Sequence, residues 1–186
     1  MTSVNGDETG GFGRQVTADT VRIERVLPGP RERIWRYLTE PELRRKWLAA
    51  GAFELSPSGD VELVFRNSEL TANDDPPPAR FADAGGEVRL VGVITVCAPT
   101  EVLAYTWGAG DDASEVRFDL VDEGSKVRLT VTHTRLANRD MRVMVSAGWH
   151  THLDLLVAVL EERAPDGFWR RFATLERAYE DRLPRA

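Results

Sequence analysis

The chain has 186 residues, 42% of them hydrophobic and 29% charged, with a formal net charge of -6. That length suits one domain with a full apolar core, while the acidic balance excludes a surface built to track nucleic-acid phosphates. The single cysteine, Cys97, excludes an intramolecular disulfide.

From the N-terminus, residues 1 to 18 contain Gly6, Gly10, Gly11 and Gly13 and few large apolar groups, so they read as a flexible tail. Val21 to Leu27 then alternates apolar and charged residues, the period of a half-buried strand, and Pro28-Gly29-Pro30 ends it. Ile34, Trp35 and Leu38 fall at helical spacing. Thr39 reads as the N-cap of a second short helix that starts with Pro41 and carries Leu43 and Trp47 four apart. The charged run from Glu40 to Lys46 reads as a solvated helix face.

Val61 to Arg66 alternates again. Residues 71 to 86, with Pro76-Pro77-Pro78 and Gly85-Gly86, form a loop in which Phe81 is a candidate flap residue or a pin to the body. Strand-like stretches over 87–97, 101–107, 114–122 and 126–135 are joined by short turns and predict an antiparallel meander with one dry face. A long helix is expected from Arg139 to Arg163, its apolar stripe holding Val145, Trp149, His152, Leu153, Leu156 and Leu160. A last amphipathic helix, Phe168 to Leu183, carries Phe168, Phe172, Leu175 and Tyr179 on one side. Such a stripe needs a dry partner, either the body or a second subunit in a homodimer.

The sequence therefore divides into a tail (1–18), a main domain (19–163) and a C-terminal helical extension (164–186). The fold class is α+β, with a curved antiparallel sheet gripping a long C-terminal helix. The most apolar stretch, Leu153 to Leu160, falls short of the roughly 18 to 20 residues that span a bilayer and carries Asp154. No membrane insertion is expected. With no charged-then-apolar leader, a cytoplasmic location is the default.

In this order the elements resemble the helix-grip superfamily of START domains, birch-pollen allergens and polyketide cyclases. They are most similar to its bacterial branch homologous to the C-terminal domain of the activator of heat shock protein 90 ATPase. The resemblance covers residues 20 to 162 and rests on Ile34 to Glu42 leading to Lys46-Trp47, on Gly92-Val93-Ile94, on Leu103 to Trp107, and on Ala147-Gly148-Trp149 leading to Leu153 and Leu156. The proline loop and the last helix depart from a minimal member. The resemblance implies a deep cavity between sheet and long helix, used for different ligands or reactions in different members.

Trp35, Trp47, Tyr105, Trp107 and Trp149 are the aromatic candidates for lining such a cavity, against the alternative of plain core packing. His152, within the stripe, is placed to donate to a ligand carbonyl or exchange a proton near neutral pH. His150 faces elsewhere, and His133 lies on the last strand among polar neighbours. His150 and His152 lack the i, i+4 spacing of a helical metal pair, and no metal site is expected. No phosphate-cradling or dinucleotide glycine motif and no nucleophile elbow occurs, so no cofactor and no catalytic residue is assigned. Arg25 and Arg89 are candidates to meet an anionic ligand.

Three functions remain open. The first is a non-enzymatic binding protein for a hydrophobic or aromatic small molecule, touched by Trp47, Phe81, Tyr105, Trp107, Trp149 and His152. The second is a cyclase-, dehydratase- or hydrolase-type enzyme using the same cavity. The third, less favoured, is a chaperone partner that activates an ATPase; the eukaryotic activator has a further domain for which this chain leaves no room.

Overall fold

A computed structural model describes residues 11–185. The expected tail is corrected within this range: Arg14–Thr17 forms strand β1, antiparallel to β2 (Thr20–Pro28). Phe12 packs edge-on against the rings of His150 and Tyr179, and the Gly13 amide donates to the Tyr179 hydroxyl at 2.7 Å. One aromatic residue and one sheet edge suffice to hold a glycine-rich segment whose composition alone suggested freedom. The rest of the predicted tail, residues 1–10, lies outside the described residues.

After β2 come α1 (Arg31–Thr39) and the four-residue α2 (Pro41–Arg44). Thr39 is not the predicted cap of α2. It is the last residue of α1, and its hydroxyl donates back to the Trp35 carbonyl at 2.8 Å. Trp47 lies beyond α2, fully buried, with its indole N–H on the Tyr37 carbonyl at 2.9 Å.

The remaining strands are β3 (Asp60–Phe65), β4 (Val88–Ala98), β5 (Val102–Trp107), β6 (Ser114–Glu123) and β7 (Lys126–Thr134). With β1 and β2 they make one antiparallel sheet in the order β1-β2-β7-β6-β5-β4-β3. The predicted meander is β4 through β7. Its inward residues follow the period-two pattern: Val116, Phe118 and Leu120 on β6 stand beside Val131 and Leu129 on β7 in one register and are all buried.

The long helix α3 (Arg139–Leu160) begins at Asn138, whose side chain accepts from the Met141 amide at 2.9 Å. By length and composition α3 is apolar enough to cross a membrane, but 67% of that window is buried inside the fold, as in a core helix. Helix α4 (Phe168–Arg182) lies against α3. Its stripe, Phe168, Phe172, Leu175 and Tyr179, joins the same core as the sheet and α3. The stripe that suggested a homodimer is thus covered within the chain, and α4 is part of one body rather than an appended extension.

Two predicted roles for charge are also corrected. Arg44 is not on a solvated face: it is fully buried, its guanidinium donating to the carbonyls of Thr39 (2.9 Å), Ala49 (3.2 Å), Leu38 (3.4 Å) and Gly51, and lying 3.6 Å from the centre of the Phe53 ring. A four-residue helix has no faces to read from periodicity, and the free carbonyls at the end of α1 need a donor. Arg25, on the inward face of β2, is held by Asp154 of α3 at 3.0 Å.

Candidate functional site

Sheet, α3 and α4 do not close on one another completely. Between them lies a cavity of about 320 Å³, within the size range of small-molecule sites. The sheet contributes Phe65 of β3, Val88, Arg89 and Leu90 of β4, Trp107 of β5 and His133 of β7. Helix α3 contributes Met144, Val145, Gly148, Trp149 and His152, one face read at three- and four-residue spacing. The remaining wall is Phe168, Trp169 and Phe172 of α4 with Asn67, Phe81 and Ala84 of the loop after β3, and Leu48.

Four of the six predicted ligand-contact residues, Phe81, Trp107, Trp149 and His152, meet at this cavity. Trp47 and Tyr105 do not belong to its lining. Tyr105 is buried between Trp107, Phe118 and Phe53, with ring centres 6.4, 5.9 and 5.1 Å away. Burial holds its phenol above the ordinary range. Both residues are inward aromatics, and sequence alone does not separate an inward side chain that fills the core from one that borders a gap. Trp35 packs at the edge of the core and is likewise outside the lining.

Sequence reasoning missed His133. It shares the parity of Val127, Leu129 and Val131 on β7 and is buried with them, so the alternation itself held the signal. Its Nδ1 lies 3.0 Å from Trp149 Nε1 and its Nε2 2.8 Å from the Ser114 hydroxyl. An indole can only donate, so Nδ1 accepts and Nε2 carries the hydrogen. Burial pulls the pKa of His133 down to about 3, assisted by Arg135, and the ring is neutral.

His152 lies in the cavity lining, and its ring nitrogens are set by a main-chain partner. Its Nδ1 lies 2.7 Å from the Trp47 carbonyl, which can only accept, so Nδ1 holds the hydrogen. Burial lowers its pKa to about 4, against the opposing hydrogen bond to that carbonyl. The ring is therefore neutral near pH 7, and Nε2 presents a lone pair. Toward the cavity the ring thus offers an acceptor in place of the expected donor.

The loop after β3 is fastened to α4 by a cap supplied from elsewhere in the chain. Gly167, at the N-cap position, offers no side chain. Instead the amides of Phe168, Trp169 and Arg170 donate to Thr71 Oγ1 (3.0 Å), Asp74 Oδ2 (2.6 Å) and Asp74 Oδ1 (3.2 Å). Trp169 Nε1 donates to Ser68 Oγ at 2.9 Å, Arg170 pairs with Asp75 at 3.2 Å, and Phe81 stacks on Trp169 with ring centres 6.2 Å apart. Asp74→Ala is expected to cost about 1–2 kcal/mol, the usual loss of a helix cap, and to speed hydrogen exchange at the α4 amides. Urea denaturation and exchange mass spectrometry would check this, and unchanged protection of residues 168–170 would contradict the cap.

Arg89 borders the cavity, but its guanidinium is held at 2.7 Å by Glu62 and at 2.8 Å by Glu87. No cluster of three metal-ligating side chains occurs among the described residues.

A family model described as activator of Hsp90 ATPase homolog 1-like protein matches residues 28–161. The chain belongs to this family. Its architecture is that of the helix-grip, START-like superfamily, a ligand-binding fold. The match runs from the end of β2 through α3; β1, all of β2 but Pro28, and α4 lie outside it. A Bordetella parapertussis protein solved by solution NMR is 41% identical over 100% of this chain and 97% of its own, with a TM-score of 0.78, so its likeness extends across the α4 wall. CalU16 of Micromonospora echinospora is 20% identical, covers 87% of this chain and 86% of its own, and has a TM-score of 0.64. A conserved Enterococcus faecalis protein of unknown function, 21% identical over 91% of this chain and 88% of its own, also has a TM-score of 0.64. No curated protein matches the sequence.

Proposed function

We propose that this protein binds one small, largely apolar molecule in the cavity between sheet, α3 and α4, without making or breaking bonds in it. The observation that carries this reading is Gly148. It sits in the middle of a 22-residue helix, where glycine costs roughly 1 kcal/mol relative to alanine. A Cβ built there meets no atom of another element within 4 Å. A residue that weakens the helix and leaves space beneath it is best explained by an occupant of that space.

The histidines favour binding over proton transfer. A general acid or base works best with a pKa near the operating pH, whereas His133 and His152 are held at about 3 and about 4. Both rings orient neighbours: His133 fixes the Trp149 indole, and His152 ties α3 to the segment after α2.

The test is to fill the void. Binding of the apolar fluorescent probe N-phenylnaphthylamine to Gly148→Phe is expected to be weaker by about tenfold or more, the scale of one lost buried contact surface, with circular dichroism unchanged. Gly148→Ala, which removes little volume, is expected to bind normally and gain about 1 kcal/mol of stability. Undiminished binding by a folded Gly148→Phe protein would refute the assignment.

A further inference from the structure

The hydrogen-bonding groups around the cavity are unevenly committed, and this bears on the kind of molecule it takes. The donors are mostly spent within the protein. Trp149 N–H is on His133, Trp169 N–H is on Ser68, and His133 Nε2–H is on Ser114. The Arg89 guanidinium is paired with two carboxylates. The Trp107 indole and the Asn67 amide nitrogen, also of the lining, have no partner among the described residues, and both are neutral.

Two acceptors are left open. His152 lies in the lining between the rings of Phe168 and Phe65, with centres 4.9 and 6.3 Å from its own. Its Nδ1–H is taken by the Trp47 carbonyl, so Nε2 offers only a lone pair and has no partner among the described residues. Asn67, also in the lining, has a buried Oδ1 with no hydrogen-bond partner. A buried polar atom left unpaired costs free energy, which is the position of Asn67 Oδ1, while His152 Nε2 opens on the cavity itself.

We infer that the cavity selects neutral aromatic or alicyclic molecules carrying a hydroxyl or N–H group, which donates to His152 Nε2 with the Asn67 side-chain amide as the second polar contact. This rests on the cavity being a binding site. A carboxylate ligand would have to lose its water and face a lone pair with no free cation beside it. An ether or ketone of the same shape would leave Nε2 unmet.

Naphthol, its methyl ether and naphthoate separate these cases. Each is titrated into the full-length protein near pH 7 by calorimetry or tryptophan fluorescence. Naphthol is expected to bind about tenfold more tightly than the ether, the scale of one net hydrogen bond inside a protein, and about a hundredfold more tightly than naphthoate. In His152→Phe the ratio of naphthol to ether affinity is expected to fall to about one, whatever the two absolute affinities, since phenylalanine offers no acceptor to the hydroxyl. The wild-type series decides the question even if that variant does not fold. Equal affinity for naphthol and ether, or tightest binding of naphthoate, overturns the selectivity and leaves the cavity reading standing. Failure of all three to bind overturns both.

Discussion

Arg44→Met is expected to destabilise the protein by about 3–5 kcal/mol, the range for leaving several buried partners unmet. Methionine matches the length and bulk of the arginine stem and adds no strain. It cannot supply the four donors that meet the carbonyls of Leu38, Thr39, Ala49 and Gly51. Two of these carbonyls belong to the last turn of α1, and two belong to the segment that leads into β3. One planar fork therefore joins the end of one element to the start of the next, with the Phe53 ring against its face. Burial lowers the Arg44 pKa to about 10, so the side chain remains charged at neutral pH. Arg44→Lys is expected to cost nearly as much, because a point charge with three donors cannot span the same carbonyls. Urea denaturation of both variants measures the effect. A loss below about 1 kcal/mol, the value of a single ordinary hydrogen bond, would show that the carbonyls find other partners.

Local pattern made the fold legible, while the site depends on contacts between distant segments. Period-two alternation marked the inner faces of β6 and β7, and the stripe on α3 marked the side turned to the sheet. The resemblance placed these elements in the right order. Even so, the same patterns put Trp47 and Tyr105 beside Trp107 and Trp149 as equal candidates, because inwardness is local and the position of a void is not. His133 was readable from parity but was set aside for its polar neighbours. Gly148 stood in plain view inside an apolar helix. The α4 wall could not be read, since it depends on Asp74 capping a helix that begins 94 residues later in the chain. Arg44 was hidden because its partners are main-chain carbonyls, which leave no trace in side-chain composition.

Stability should fall steeply as the solution is acidified from pH 8 to pH 5. His133, His150 and His152 are 1%, 2% and 7% exposed, and burial is the largest cause of the lowered pKa in each. The values are about 3, about 4 and about 4, against an ordinary 6.5. At His150, Arg25 adds to the effect and Asp154 opposes it. The Tyr179 hydroxyl accepts from Gly13 and lies 3.0 Å from His150 Nδ1. Between pH 6.5 and 4 the unfolded chain therefore binds up to three protons that the folded protein refuses. Stability then rises with pH through this window and is lost as pH falls, because the state that takes up more protons is favoured by acid. Each histidine contributes at most about 1.4 kcal/mol per pH unit, which puts the protein about 4–6 kcal/mol lower at pH 5 than at pH 8. Against a typical total of about 5–15 kcal/mol, that is a large part of the whole. Urea midpoints measured at each pH unit test this, and a midpoint unchanged from pH 8 to pH 5 would contradict the burial of these rings. His150→Gln, whose amide can meet the Tyr179 hydroxyl as donor or acceptor, is expected to remove about one third of the slope.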